Sequence, residues 1–111
     1  MPIYRLAKDS ILFPSVELAG EDGLLALGGD LQPERLIAAY RHGIFPWYAE
    51  GDPILWWYLN PRLVLFPSEC KVSRRLQRSI RQRPFRVSFD ENFSRVISDC
   101  AAIRIERGIG T

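Results

Sequence analysis

The sequence is short of the side chains from which most active sites are built. One histidine and two cysteines in 111 residues leave no material for a histidine-rich metal cage or a disulfide framework. Cys70 and Cys100 stand far from each other and from His42, and read as reduced, buried thiols behaving as small hydrophobes. No serine–histidine–carboxylate spacing, nucleotide-binding glycine fingerprint or P-loop lysine occurs, and the carboxylates are scattered over turns and helix starts. Long apolar runs are missing too. Nothing approaches the roughly 20 residues that a membrane-crossing helix needs, and the first ten residues carry charge without the apolar stretch of a signal peptide. These absences point to a cytosolic chain with no membrane partner and no metal. The formal net charge, +2, is too small to imply a nucleic-acid partner by itself, so the placement of the basic residues has to carry that question.

What is present is an ordinary globular composition, 47% hydrophobic and 25% charged, long enough for one core and short for two independent domains. The densest information lies between Gly23 and Trp57, where all three tryptophans fall in the last eleven residues. Ile11-Leu12-Phe13-Pro14 precedes it as a short edge strand or an extended anchor, closed by a proline that cannot donate to a sheet. Leu24, Leu25 and Leu27 are expected to pack, and Gly28-Gly29-Asp30 to turn sharply into a helix. The glycine spacing fits a turn better than a phosphate cradle. Pro33 suits the first helical position and Glu34 its positive end. The helix is expected to run to about Arg41, with Leu36, Ile37 and Tyr40 on its apolar face, Arg35 and Arg41 elsewhere, and Gly43 ending it in the left-handed conformation. His42 reads as a polar residue at that helix end rather than a catalytic one.

Glu50-Gly51-Asp52-Pro53 is a turn, and Ile54-Leu55-Trp56-Trp57 the strand that follows it. Adjacent strand residues point to opposite faces, so Trp56 and Trp57 cannot both enter one core. One of them, with Trp47, is a candidate flat platform for a base or another planar ligand; the competing reading is that all three simply pack.

The character changes near Pro61, a plausible domain boundary. Arg62-Leu63-Val64-Leu65-Phe66-Pro67 reads as a buried strand, and Ser73 as the N-cap of a helix through about Arg83 with Leu76 and Ile80 as a thin apolar stripe. The rest of that helix is basic. Arg74, Arg78 and Arg81 recur at i, i+4, i+7, flanked by Lys71, Arg75, Arg83 and Arg86, and no acidic residue occurs between Lys71 and Arg86. Such a face is either solvated surface or a binder of nucleic-acid phosphates, giving affinity and salt dependence without sequence reading. Phe85, Val87 and Phe89 alternate as a half-buried strand, Asp90 is placed to cap a last helix, and Phe93, Val96, Ile97, Cys100 and Ala101 form its apolar stripe. The tail from Ile103 onward shows no terminating element. Composition and spacing alone support an α+β domain with a basic helix and exposed aromatics.

A resemblance adds more. Phe13-Pro14, the run from Asp22 to Leu31 (Asp-Gly-Leu-Leu-Ala-Leu-Gly-Gly-Asp-Leu), Pro33-Glu34-Arg35-Leu36, Ala39-Tyr40-Arg41, Gly43-Ile44-Phe45-Pro46-Trp47, Pro53-Ile54-Leu55-Trp56-Trp57, Pro61-Arg62 and Val72-Ser73-Arg74 closely resemble the leucyl/phenylalanyl-tRNA–protein transferases, in order and over essentially the whole chain. The resemblance implies a small N-terminal α/β domain, residues 1–61, followed by the first part of an acetyltransferase-like catalytic domain, residues 62–111, apparently truncated. It implies a bacterial cytoplasmic aminoacyltransferase. Leu or Phe, less readily Met, moves from its aminoacyl-tRNA to the N-terminal Lys or Arg of an acceptor protein, which is thereby marked for degradation by the N-degron route. The aminoacyl ester is already activated, so no cofactor, ATP or metal is implied. By the same resemblance Trp47 packs on the 3′-terminal adenosine, and Arg74, Arg78 and Arg81 belong to a basic patch for the tRNA acceptor stem. The catalytic carboxylates and the pocket for the transferred side chain are expected beyond Thr111, with a further substrate-contacting tryptophan just after Gly110-Thr111. Tyr58-Leu59 departs from the family's usual Ser-Pro, and Gln32 stands where a small N-cap residue is usual.

Overall fold

The computed structural model describes residues 3–108, so Gly110 and Thr111 lie outside the described residues. Two compact units make up the chain, Met1–Arg62 and Leu63–Thr111. With three α-helices and a four-stranded sheet among the described residues, the fold is α+β.

In the first unit the strands are β1 (Tyr4–Leu6), β2 (Leu24–Gly28), β3 (Phe45–Pro46) and β4 (Leu55–Trp57), and the helix is α1 (Pro33–Arg41). The sheet order is β1-β2-β4-β3, with β1 parallel to β2 and the other neighbours antiparallel. Pro46 sits on the edge strand β3, opposite Trp56, where a missing N–H disturbs no second neighbour. Leu6, Leu25, Ala26, Ala39, Ile44 and Trp56 form the core. Trp56 is completely buried; its indole N–H donates to the Gly28 carbonyl at 2.9 Å, and Phe13 meets its ring edge-on at 5.0 Å between centroids. The Ile11–Pro14 run is therefore an extended anchor rather than a strand, while the three-residue β1 is too short to announce itself by alternation. Leu25 and Ala26 both turn inward because β2 slips register between Leu24 and Ala26. A bulge sets two consecutive residues against one partner and breaks the strict in–out alternation.

Helix α1 has the expected limits, with Pro33 in its first turn and Gly43 at φ 73° after it. Its buried face is only partly the expected one, with Leu36 packed against the core as expected. Arg35 and Ala39 are buried, while Ile37 and Tyr40 are 52% and 62% exposed. The reason is local: Arg35 donates from Nε to Asp30 at 3.1 Å and from Nη2 to the Ala7 carbonyl at 2.8 Å, so the guanidinium enters the interior with its charge matched. Ala39, one turn on, adds no bulk between helix and sheet.

The second unit contains α2 (Arg74–Gln82) and α3 (Phe93–Glu106). Ser73 caps α2 as expected, its hydroxyl accepting the Leu76 N–H at 3.1 Å. No described residue of this unit is buried. The expected strands at 62–66 and 85–89 do not form, and Leu63 is 100% exposed; a strand needs a neighbour to complete its ladder, and the described residues of the unit supply none. Cys70 and Cys100 are free but exposed, which corrects the expectation of burial. Asp90 is not the cap of α3. It takes a left-handed conformation, φ 57°, and Asn92 occupies the cap position without a side-chain bond. The helix then continues through Ile103 to Glu106, into the tail that showed no terminating element in the sequence.

Candidate functional site

The β3–β4 hairpin exposes the aromatic surface of the first unit. Phe45 pairs with Trp57 and Pro46 with Trp56, and the Trp47 N–H continues the ladder by donating to the Leu55 carbonyl at 3.0 Å. Alternation then puts Phe45, Trp47, Leu55 and Trp57 on the face opposite buried Trp56. Trp56 and Trp57 thus divide between core and outer face, as the strand period requires. Trp47 is the most open of the three, 67% exposed, and its backbone is held by two bonds, since the Trp57 indole N–H donates to the Trp47 carbonyl at 2.7 Å. A fixed backbone carrying an open indole is the geometry of a stacking platform.

Arg62 completes this surface. Its guanidinium lies 5.8 Å from the Phe45 ring centre and 5.6 Å from that of Tyr58, and its Nη2 donates to the Gly43 carbonyl at 2.6 Å. Sequence reasoning missed Arg62 because nothing local distinguishes an arginine after a proline; its partners lie in the Gly43–Phe45 stretch and at Tyr58. Tyr58 supplies one of the two rings, and the Leu59 side chain fills the space that a Cβ on Gly23 would need.

Asp30 and Arg35 hold the turn from β2 into α1. The Gln32 N–H and the Arg35 guanidinium both reach Asp30 Oδ1, each at 3.1 Å. The Gln32 N–H first, and Arg35 second, hold the Asp30 carboxyl below the ordinary carboxylate value. Gln32 itself makes no side-chain cap; its own N–H is held by Asp30 two residues upstream. Gly29, at φ 75°, leaves room for the guanidinium, whose carbon would lie 3.0 Å from a Cβ there. Gly29 thus makes a turn fitted to Arg35. His42 caps α1, its Nδ1–H donating to the Ala38 carbonyl at 2.9 Å; no carboxylate is paired with it among the described residues.

In the second unit, α2 carries Arg74, Arg78 and Arg81 along one exposed face. At about 100° per residue they fall within roughly 60° of arc, with Leu76 and Ile80 on the far side. Among the described residues the ion pairs are Arg35–Asp30, Arg86–Glu91 and Arg95–Asp99, so no α2 arginine is neutralised, whereas the flanking Arg86 is. Among the described residues no group of three or more His, Cys, Asp or Glu is arranged to hold a metal, and no helix is long and apolar enough to cross a membrane. The geometry offers stacking and cation presentation, and among the described residues no hydrogen-bonded nucleophile–base pair.

Comparison with known proteins bears on the same regions. A family model described as the leucyl/phenylalanyl-tRNA protein transferase N-terminal domain matches residues 29–58, and one described as leucyl/phenylalanyl-tRNA protein transferase matches residues 64–111. Curated relatives carry the name leucyl/phenylalanyl-tRNA–protein transferase. That of Magnetococcus marinus is 56% identical over 108 residues, covering 97% of this chain and 46% of the relative. That of Desulforapulum autotrophicum is 51% identical over 111 residues, covering 100% and 48%. That of Pseudomonas entomophila is 59% identical over 101 residues, covering 89% and 45%. The chain spans about half the length of the curated relatives it matches.

Proposed function

Because the chain belongs to the leucyl/phenylalanyl-tRNA–protein transferase family, we propose that it is part of a cytoplasmic aminoacyltransferase that moves Leu or Phe, less readily Met, from charged tRNA to acceptor proteins beginning with Lys or Arg, marking them for degradation. The observation that carries this reading is that both compact units match models of one transferase family, in chain order. In this reading residues 1–61 are the N-terminal domain and 62–111 the opening of an acetyltransferase-like catalytic domain.

The chemistry is attack of the acceptor α-amine on the aminoacyl ester carbonyl, with the tRNA 3′ oxygen leaving. An activated ester needs positioning, removal of the amine proton and stabilisation of the oxyanion. The present residues serve the first need. Trp47 stacks on the 3′ adenosine, supported by its open indole on a doubly tethered backbone. Arg74, Arg78 and Arg81 contact acceptor-stem phosphates, supported by their shared face and lack of ion-pair partners. The proton-transferring and oxyanion-stabilising groups lie beyond Thr111.

The test is transfer of labelled Phe from Phe-tRNA to a peptide beginning with Arg, with this chain assayed beside one extended by the C-terminal half of a relative. Transfer by the extended chain alone is expected. Transfer by the 111-residue chain would move the chemistry onto Asp30, His42 or Glu50, the first residues to mutate. Salt-sensitive tRNA binding with no transfer from either chain would favour a non-catalytic tRNA-binding module, and Arg78→Glu should then weaken binding across all tRNA sequences. Each arginine contributes about one phosphate contact, so the slope of log affinity against log salt should fall by about 0.7–0.9.

A further inference from the structure

We propose that Arg62 is a phosphate-binding residue that takes the phosphodiester of a single-stranded RNA end whose base lies on Trp47; the neighbouring base rests on the platform reading above, but the anion site does not. Three features make Arg62 more than a clamp. Phe45 and Tyr58 approach the guanidinium within cation–π range, at 5.8 and 5.6 Å, so its orientation is set before any ligand arrives. One N–H is used, on the Gly43 carbonyl at 2.6 Å, and of five donors the others make no hydrogen bond to described residues. No carboxylate of the described residues pairs with it, although the side chain is exposed. A fixed guanidinium with a free edge and no counter-charge is suited to two parallel N–H···O bonds to a phosphate.

Its location names the phosphate. Phe45, under the guanidinium, lies two residues before Trp47 in an extended segment, so both side chains take the same side of the hairpin about 7 Å apart. A base on Trp47 and a charge beside Phe45 are then within the reach of one nucleotide. A purely structural Arg62 would use its charge on the carbonyl bond and the ring contacts, and would be indifferent to a charge on the ligand. An RNA site needs the charge, and its effect must depend on the charge of one linkage in the ligand.

That dependence is the test. The whole chain is titrated with 5′-labelled CCA trinucleotide, and with the same trinucleotide carrying a neutral methylphosphonate at its last linkage, and binding is read by fluorescence anisotropy. The wild type should prefer the charged probe by about tenfold. Arg62→Ala should lose that preference by weakening the charged probe alone, and Arg62→Lys, which keeps the charge but not the fork, should retain part of it. Circular dichroism melts identify variants that fail to fold; the wild-type probe preference and Arg62→Lys still decide the matter if Arg62→Ala does. Equal wild-type affinity for both probes, equal weakening of both by Arg62→Ala, or no wild-type binding would overturn the proposal. Inorganic phosphate competing as well as the trinucleotide would overturn the RNA assignment by reducing the site to a general anion site. Trp47→Ala separates the two readings: if the charge preference survives but affinity is unchanged, the platform fails and the phosphate site stands. If Trp47→Ala weakens both probes while Arg62→Ala changes neither, the platform stands and this proposal fails.

Discussion

The two units present similar sequence patterns with opposite outcomes. Trp56 and its neighbours in the first unit are sealed from solvent, whereas Leu63 is fully exposed and Phe85, Val87 and Phe89 are more than four-fifths exposed in the second. Both regions carry alternating or helical apolar positions. Only the first has, within its own residues, four strands and a helix to set against one another. Apolar periodicity says which face wants burial; a partner surface decides whether burial happens.

Mutations should therefore divide along the same line. The largest effect is expected for Trp56→Ala, which removes the core's largest side chain and should destabilise the first unit by about 3–5 kcal/mol, while leaving the helical signal of α2 and α3 in place. A denaturation followed by near-ultraviolet tryptophan signal and far-ultraviolet helix signal would separate the two; loss of both together would erase the contrast. Arg35→Ala comes next, at about 1.5–3 kcal/mol for charge-assisted bonds lost in the same unit. If Arg35→Ala cost no more than Ile37→Ala on the exposed side of α1, the rotated helix face would be wrong.

Acid should also act on the first unit. Asp30 has a lowered folded pKa, so the folded state favours its ionised form. Its stabilising contribution is complete above the ordinary carboxylate value of about 3.9 and is lost as pH falls through the lower folded value. Asp30→Asn should flatten the acid limb of the melting curve; an unchanged limb would assign acid sensitivity elsewhere. Smallest of these, Ser73→Ala should cost about 1 kcal/mol of α2 stability by removing the bond to the Leu76 N–H, read as lost helicity with no change at Trp56.

Much of this architecture is legible locally. Pro33 and Gly43 bracket α1, Ser73 starts α2, and the strand period divides Trp56 from Trp57, because each rests on backbone geometry within a few residues. The candidate site is half legible: Trp47 and the α2 arginines stand out by type and spacing. Arg62 does not, since its meaning comes from Gly43, Phe45 and Tyr58 brought together by folding.

What the sequence determined by itself, then, is the set of local choices: where helices begin and end, where the chain turns, and which side chains share a face. The tertiary structure decided which faces count. It buried Arg35 in place of Ile37 and Tyr40 because Asp30 and the Ala7 carbonyl arrive from outside the helix to match its charge. It left the 63–66 and 85–89 runs unpaired because, among the described residues, no strand of their own unit meets them. Burial and pairing are properties of two surfaces, and one stretch of sequence specifies only the first.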